Sequence, residues 1–239
     1  MKIRATLPIL FWLVTVFATA AAAVGPEKIF TAEDFARDRV PRCSANHEPT
    51  RMLVQINAKL SPYLFTLIAE PVAAAEGTVH RVGRIEISRE GKPIQTIEVK
   101  SNWDDSVCRF FDAKDVNFDG YLDISVVREG AGTWASRDYY LFDPHAGRFV
   151  TTELTDDLSR LRNNGLSLVR KNRQIQAAVL FSLCGGTDVY RIEGGRLVQV
   201  QKDEVSTDAQ GHRCIETIQE RVDGKWKVVR RKTTKAPAS

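Results

Sequence analysis

The sequence predicts an all-β protein: serial antiparallel hairpins, forming a propeller-like or meandering sheet, behind an irregular N-terminal arm. Two observations carry that reading. Beyond Thr78 the chain repeats one form four times: an alternating strand, a turn containing glycine, and a second alternating strand. Stretches with helical spacing are few and short, so the 43% of hydrophobic residues must be buried through period-two faces. A length of 239 residues is ample for one core or two small ones.

Taken in order, Lys2 and Arg4 precede an apolar run from Leu7 to Phe17 and a small-residue tract from Ala18 to Ala23. This is the form of a secretory signal cleaved near Ala23, and the run is shorter than the roughly 20 residues a spanning helix needs. Residues 1–23 are therefore read as a leader. Residues 24–50 are a polar arm broken by Pro41 and Pro49, in which Thr31 caps a short helix from Ala32 to Arg37. Residues 51–235 are the β domain. It opens with Met52, Val54 and Ile56 in alternation and a denser run from Tyr63 to Ile68, after which Pro71 to Gly77 reads as a loop or a short helix. The four hairpins are Val82 to Gly91 with Pro93 to Val99, Tyr139 to Gly147 with Arg148 to Leu154, Asp188 to Gly195 with Arg196 to Gln201, and Ile215 to Val222 with Lys225 to Arg230. Further strands run from Leu122 to Val127 and from Ile175 to Leu183, and Asp156 to Arg162 can form a turn or two of helix.

The most chemically specific stretch is Asp115 to Asp123. Asp115, Asn117, Asp119 and Asp123 occupy positions 1, 3, 5 and 9 of a D-x-N-x-D-G-x-x-D loop, with Gly120 at the sixth position, where a Ca²⁺ loop turns sharply. Four oxygen side chains at this spacing can converge on one hard cation, with the Tyr121 carbonyl as a further ligand. The twelfth position is Val126 and the chain continues as a strand, so this is not an EF-hand helix pair. A metal-free turn rich in Asp and Asn uses the same residue types.

Cys43, Cys108, Cys184 and Cys214 are an even set in an exported chain, which reads as two disulfides. Three pairings are open; Cys184 with Cys214 and Cys43 with Cys108 are preferred because each closes a moderate loop. Removing Lys2 and Arg4 lowers the formal net charge of +4 by two, so the chain does not call for nucleic acid. The one basic cluster, Lys225 to Lys235, reads as a solvated strand face and tail with a weak pull on anionic partners. H-E-x-x-H, G-x-S-x-G, P-loop and dinucleotide-binding motifs are all absent, and His47, His80, His145 and His212 are dispersed. Trp134 and Arg137, on a stretch of small residues from Glu129 to Asp138, are candidate partner contacts, and Gly185-Gly186-Thr187 is a second candidate loop.

Phe110-Phe111-Asp112, the stretch Asp115 to Ile124, the Gly130-Ala-Gly132 loop and Tyr139-Tyr-Leu-Phe-Asp143 leading to Gly147-Arg-Phe-Val150 together resemble a known family. It is the calcium-binding, propeller-like periplasmic immunity proteins that protect bacteria from lysozyme-like effectors of an antibacterial type IV secretion system. The resemblance covers about Phe110 to Leu154. It implies a periplasmic inhibitor, not an enzyme, that plugs the cleft of a peptidoglycan hydrolase, with Ca²⁺ held by Asp115, Asn117, Asp119 and Asp123. Two other classes stay open on the residues alone: a secreted glycan hydrolase using an unrecognised carboxylate pair, and a calcium-dependent carbohydrate-binding or adhesion module.

Overall fold

The computed structural model describes residues 28–40, 49–74, 77–101, 110–131, 134–161, 166–181, 184–208 and 212–235. The leader, Cys43 and Cys108 lie outside the described residues. Within them the chain is all-β, in three open meandering sheets. The first holds β1 (Ile29–Phe30), β2 (Thr50–Val54), β3 (Tyr63–Ala74), β4 (Gly77–Arg89) and β5 (Lys92–Glu98). The second holds β6 (Phe111–Lys114), β7 (Asp123–Ala131), β8 (Trp134–Asp143) and β9 (Arg148–Val150). The third holds β10 (Leu166–Val169), β11 (Gln174–Phe181), β12 (Cys184–Glu193), β13 (Arg196–Thr207), β14 (Arg213–Val222) and β15 (Lys225–Lys235). Strands adjacent in sequence pair antiparallel within each sheet, except that β1 runs parallel to β2. All four expected hairpins are present, on turns at Glu90–Gly91, 144–147, Gly194–Gly195 and Asp223–Gly224. The strand expected from Arg148 to Leu154 ends at Val150, however, and the helix expected from Asp156 to Arg162 runs instead from Glu153 to Ser159 and takes in Leu154.

The second sheet lies between two cores. β8 shows why: Tyr140 and Phe142 point into a core shared with the first sheet, while Tyr139 and Leu141 alternate into one shared with the third. The first core is built on Tyr63, Phe65, Ile85, Ile87, Ile124 and Val126, each at most 1% exposed. Phe142 sits edge-on to Tyr63 and Phe149 at centroid distances of 5.6 and 5.4 Å. The second core joins Leu154 and Leu158 of α2 (Glu153–Ser159) to Leu166, Ile175 and Ala177 of the third sheet. Asp157 clamps α2 to β13, accepting from Arg196 Nε at 2.7 Å and Nη2 at 2.9 Å and from the Leu197 amide at 3.1 Å. The Arg196 guanidinium, first among its neighbours, holds the Asp157 carboxyl down to about 2.

The arm is more ordered than its composition suggests. Its described part supplies β1 and the helix α1 (Ala32–Ala36), and both Phe30 and Phe35 enter the first core. Asp34 reaches back to accept the Thr31 amide and hydroxyl, both at 3.0 Å, closing the expected helix start. The stretch from Pro71 is neither loop nor helix: β3 continues through Ala74 against β4. The β2 ladder reaches only Leu67, so one side of β3 is an edge at Pro71, where a proline is tolerated. Cys184 and Cys214 form the preferred disulfide, linking β12 to β14 with an S–S distance of 2.07 Å. Gly185 to Thr187 is likewise strand and not a contact loop, because β12 begins at Cys184. A side chain at Gly186 would run into Asp203 and Val205 of β13, so only glycine permits that approach.

Asp203 is the polar exception in the third sheet, only 4% exposed. Its Oδ2 accepts the Thr187 amide at 2.9 Å, while Oδ1 is buried without a hydrogen-bond partner. Burial raises its pKa above the ordinary 3.8, and the nearby charges of Glu216 and Asp188 push the same way. The fold therefore favours the protonated acid, and stability is lost as pH rises past the ordinary carboxylate range. Asp203→Asn keeps the acceptor and removes the charge. It is expected to raise the melting temperature at pH 8 by roughly 2–4 °C, about 1 kcal/mol for a chain of this size, with little gain at pH 3. Melting curves at the two pH values check this, and an equal shift at both would remove charge as the cause.

Candidate functional site

Asp115 to Asp123 forms the connection between β6 and β7. It folds as a tight loop because its own side chains bind its backbone. The Asp119 amide donates to Asp115 Oδ1 at 3.0 Å and to Asn117 Oδ1 at 3.1 Å, and the Tyr121 amide donates to Asp119 Oδ1 at 2.9 Å. Asn117 Nδ2 donates to Asp119 Oδ2 at 2.8 Å. The turn requires left-handed backbone at Phe118, with φ 60°, and at Gly120, with φ 90°.

Asp123, at 1% exposure, is the buried anchor. Its Oδ2 accepts the Val116 amide and its Oδ1 the Phe142 amide, both at 2.9 Å, which ties the loop's start to β8. Burial raises its pKa to about 8; the two amides oppose that, and Asp119 and Asp115 reinforce it.

The loop also touches all three sheets. Asn57 Nδ2 donates to the Gly120 carbonyl at 2.8 Å and the Leu122 amide to the Ile56 carbonyl at 2.9 Å, both beyond the end of β2. From the 3-10 turn between β10 and β11, Arg170 Nη1 pairs with Asp115 Oδ2 at 3.1 Å. Arg173 reaches the Asn117 carbonyl at 3.5 Å and covers the Phe118 ring. Loop side chains part between the cores: Val116 and Phe118 join the second, Tyr121 and Leu122 the first.

The expected ligand positions share one loop whose side chains are hard oxygen donors, the chemistry that suits Ca²⁺. Asp115, Asn117 and Asp119 meet around the Asp119 amide, while both Asp123 oxygens are taken by backbone amides. Among the described residues no three or more His, Cys, Asp or Glu side chains are grouped as a metal site. Asn57, Arg170 and Arg173 could not be read from the local motif. The only signal for the arginines was a basic turn, Arg170-Lys-Asn-Arg173, between two strands.

Arg137 does not project from a loop. The stretch from Glu129 is the end of β7 and the start of β8, and Arg137 is 7% exposed. Its Nε donates to Ser125 Oγ at 2.9 Å and its Nη2 to the Phe110 and Ser125 carbonyls at 3.1 and 3.2 Å. A guanidinium can be buried in this way because its fork of donors is met by fixed acceptors. Trp134 begins β8 opposite Ala131 at the tip of this hairpin, and its side chain lies outside the described residues. Beside the hairpin, a polar hollow of about 480 Å³ is lined by Arg128, Ser136, Asp138, Tyr140 and Thr155, among others.

No protein-family model matches the sequence, and no curated protein matches it. Among solved structures, the chain is similar to one described as a Xanthomonas type IV secretion system related protein. The two are 18% identical with a TM-score of 0.51, over 76% of this chain and 99% of that one. At that identity the likeness speaks to the fold.

The left-handed turn makes Gly120 a test of the loop. A methyl group added at Gly120 would meet no neighbouring atom within 4 Å, so a substitution is penalised by backbone strain alone. Gly120→Ala is expected to destabilise the protein by about 1–2 kcal/mol, read as a lower denaturant midpoint at unchanged slope. A neutral result would mean that the turn relaxes.

Proposed function

We propose that the protein is an exported, calcium-ordered binding protein of the periplasm. In this reading it is associated with type IV secretion and binds and blocks a lysozyme-like peptidoglycan hydrolase. The observation that carries the reading is the loop Asp115 to Asp123, seated at the junction of a fold similar to that of a type IV secretion system related protein. The resemblance of Phe110 to Leu154 to periplasmic immunity proteins points the same way.

In this reading Asp115, Asn117, Asp119, Asp123 and the Tyr121 carbonyl hold Ca²⁺. Bound there, the ion supplies positive charge to carboxylates that Arg170 and the backbone amides meet only in part. The chain's own residues do the rest. Asp123 fixes the loop to β8, and Arg137 fixes β8 to β7 and to Phe110. The hairpin carrying Trp134 is thereby held on a rigid sheet, and a pre-ordered contact costs less conformational entropy on binding. Trp134 is the proposed contact, and Arg137 positions the hairpin that bears it.

Two outcomes are expected. Calcium raises the melting temperature and chelator lowers it, while Asp119→Ala melts at the chelator value and no longer responds to the ion. Melting that is the same with and without calcium would leave an ordinary acidic turn. Titrated against a panel of muramidases digesting peptidoglycan, the protein suppresses cleavage at near one-to-one stoichiometry. Trp134→Ala weakens that inhibition by roughly thirtyfold, the size of a 2 kcal/mol hot spot. No inhibition of any muramidase would sink the inhibitor reading.

A further inference from the structure

The hairpin β14–β15 closes the third sheet, and among the described residues β15 pairs only with β14. Every residue of β15 is exposed. Among the described residues five large hydrophobic side chains are exposed, and four belong to this hairpin: Val222 at 36%, Trp226 at 40%, Val228 at 62% and Val229 at 50%. They crowd towards its turn at Asp223–Gly224. The register places them on both faces. Val222 lies opposite Lys225 on one, while Trp226 and Val228 lie opposite Arg221 and Gln219 on the other, with Val229 at the irregularity between the two ladders.

Behind this apolar tip the strand is basic on both faces. Arg230 and Lys232 lie on one side, Arg231 and Lys235 on the other, with Lys225 and Lys227 nearer the turn. Arg230 makes a long ion pair with Glu216 at 3.7 Å; the other five cations form no ion pair among the described residues. Lysines on a sheet edge commonly guard against pairing with another chain. That accounts for the charge but not for exposed Trp226, Val228 and Val229, which a guarded edge has no need to display.

We infer that the β14–β15 hairpin docks on an anionic phospholipid surface. Its tip would insert Trp226 and the valines at the headgroup boundary, and its cations would bind lipid phosphates. Charge complementarity is the first argument, since juxtamembrane cations are drawn to anionic headgroups. Shape is the second. An apolar patch wrapped around both faces of a tip suits a soft, enclosing interface, whereas docking on a folded protein would use one face. Trp is the side chain that favours the headgroup region, and Lys225 and Lys227 can extend their ammonium groups back to the phosphates. No helix of the described residues is long and apolar enough to cross a membrane, and the inferred contact is made by the hairpin alone. The inference does not depend on the hydrolase reading.

The test is co-sedimentation of the purified protein with vesicles of phosphatidylcholine alone or mixed with phosphatidylglycerol, alongside soluble polyglutamate. Binding is expected only to the vesicles containing phosphatidylglycerol, with tryptophan emission shifted to the blue and quenched by brominated lipid. Both signals should disappear in Trp226→Phe. The triple substitution K225Q/K227Q/R231Q, at exposed positions, should lower the partition coefficient by more than about tenfold. Three results overturn the inference: no vesicle binding, binding that the triple variant leaves unchanged, or capture of polyglutamate without vesicles, which would make the hairpin a dock for an acidic protein.

Discussion

The structure depends on how the carboxylates between Asp115 and Asp123 are compensated. Asp115 and Asp123 are nearly inaccessible, at 3% and 1% exposure, and polar groups buried there need hydrogen-bond partners. Those partners are the amides of Val116, Asp119 and Phe142 and the guanidinium of Arg170, while the loop's backbone is tied separately to Ile56 and Asn57. Because Phe142, Arg170 and the Ile56–Asn57 segment belong to different parts of the chain, satisfying the loop also ties together the segments bordering the first, second and third sheets. Its apolar side chains do the same by dividing between the two cores. A cation at the loop would act on that junction as a whole and not on one turn.

The second sheet shows what this demands of a sequence. Both its faces are buried, so β8 cannot follow the simple rule of one polar and one apolar face. It alternates between two apolar cores from Tyr139 to Phe142, and further towards the tip it uses Ser136 and Arg137, buried at 1% and 7%. Both find fixed partners, Ser136 on Glu129 and Arg137 on Ser125 and Phe110. Polar groups satisfied in this way hold a strand to one register, where apolar ones would tolerate a slip.

Local chemistry was legible in the sequence where it was sufficient. The four hairpins combine alternation with glycine-containing turns, and the register follows from both. The start of α1 after Thr31 was also readable, whereas Cys184 with Cys214 was the preferred one of three open pairings and is the one that forms. What the sequence hid is long-range. Pro71 and the alanines after it resemble a loop until β4 is present to pair with them. Gly185 and Gly186 resemble a turn until Asp203 and Val205 occupy the space a side chain would need. Arg137, set among small residues, looks exposed; only the carbonyls of Phe110 and Ser125 make its burial intelligible. Arg170 is 55 residues from Asp115, and no spacing rule joins them.

The third sheet divides into two physical regimes. β10 to β12 contribute Leu166, Ile175, Ala177 and the half-buried Tyr190 and Ile192 to the second core. Beyond β13 burial falls away, until β15 is exposed along its whole length. A ribbon of that kind adds little to the core, so its sequence is free of packing constraints, and the disulfide and the Asp157–Arg196 clamp secure the strands that precede it. Among the described residues no hydrogen bond or ion pair joins the hairpin to the Asp115–Asp123 loop. Sites without shared partners perturb stability almost independently. The junction can therefore be optimised for rigidity and the ribbon for surface chemistry, and a change at Trp226 or Lys227 need not disturb the ordering of the sheets.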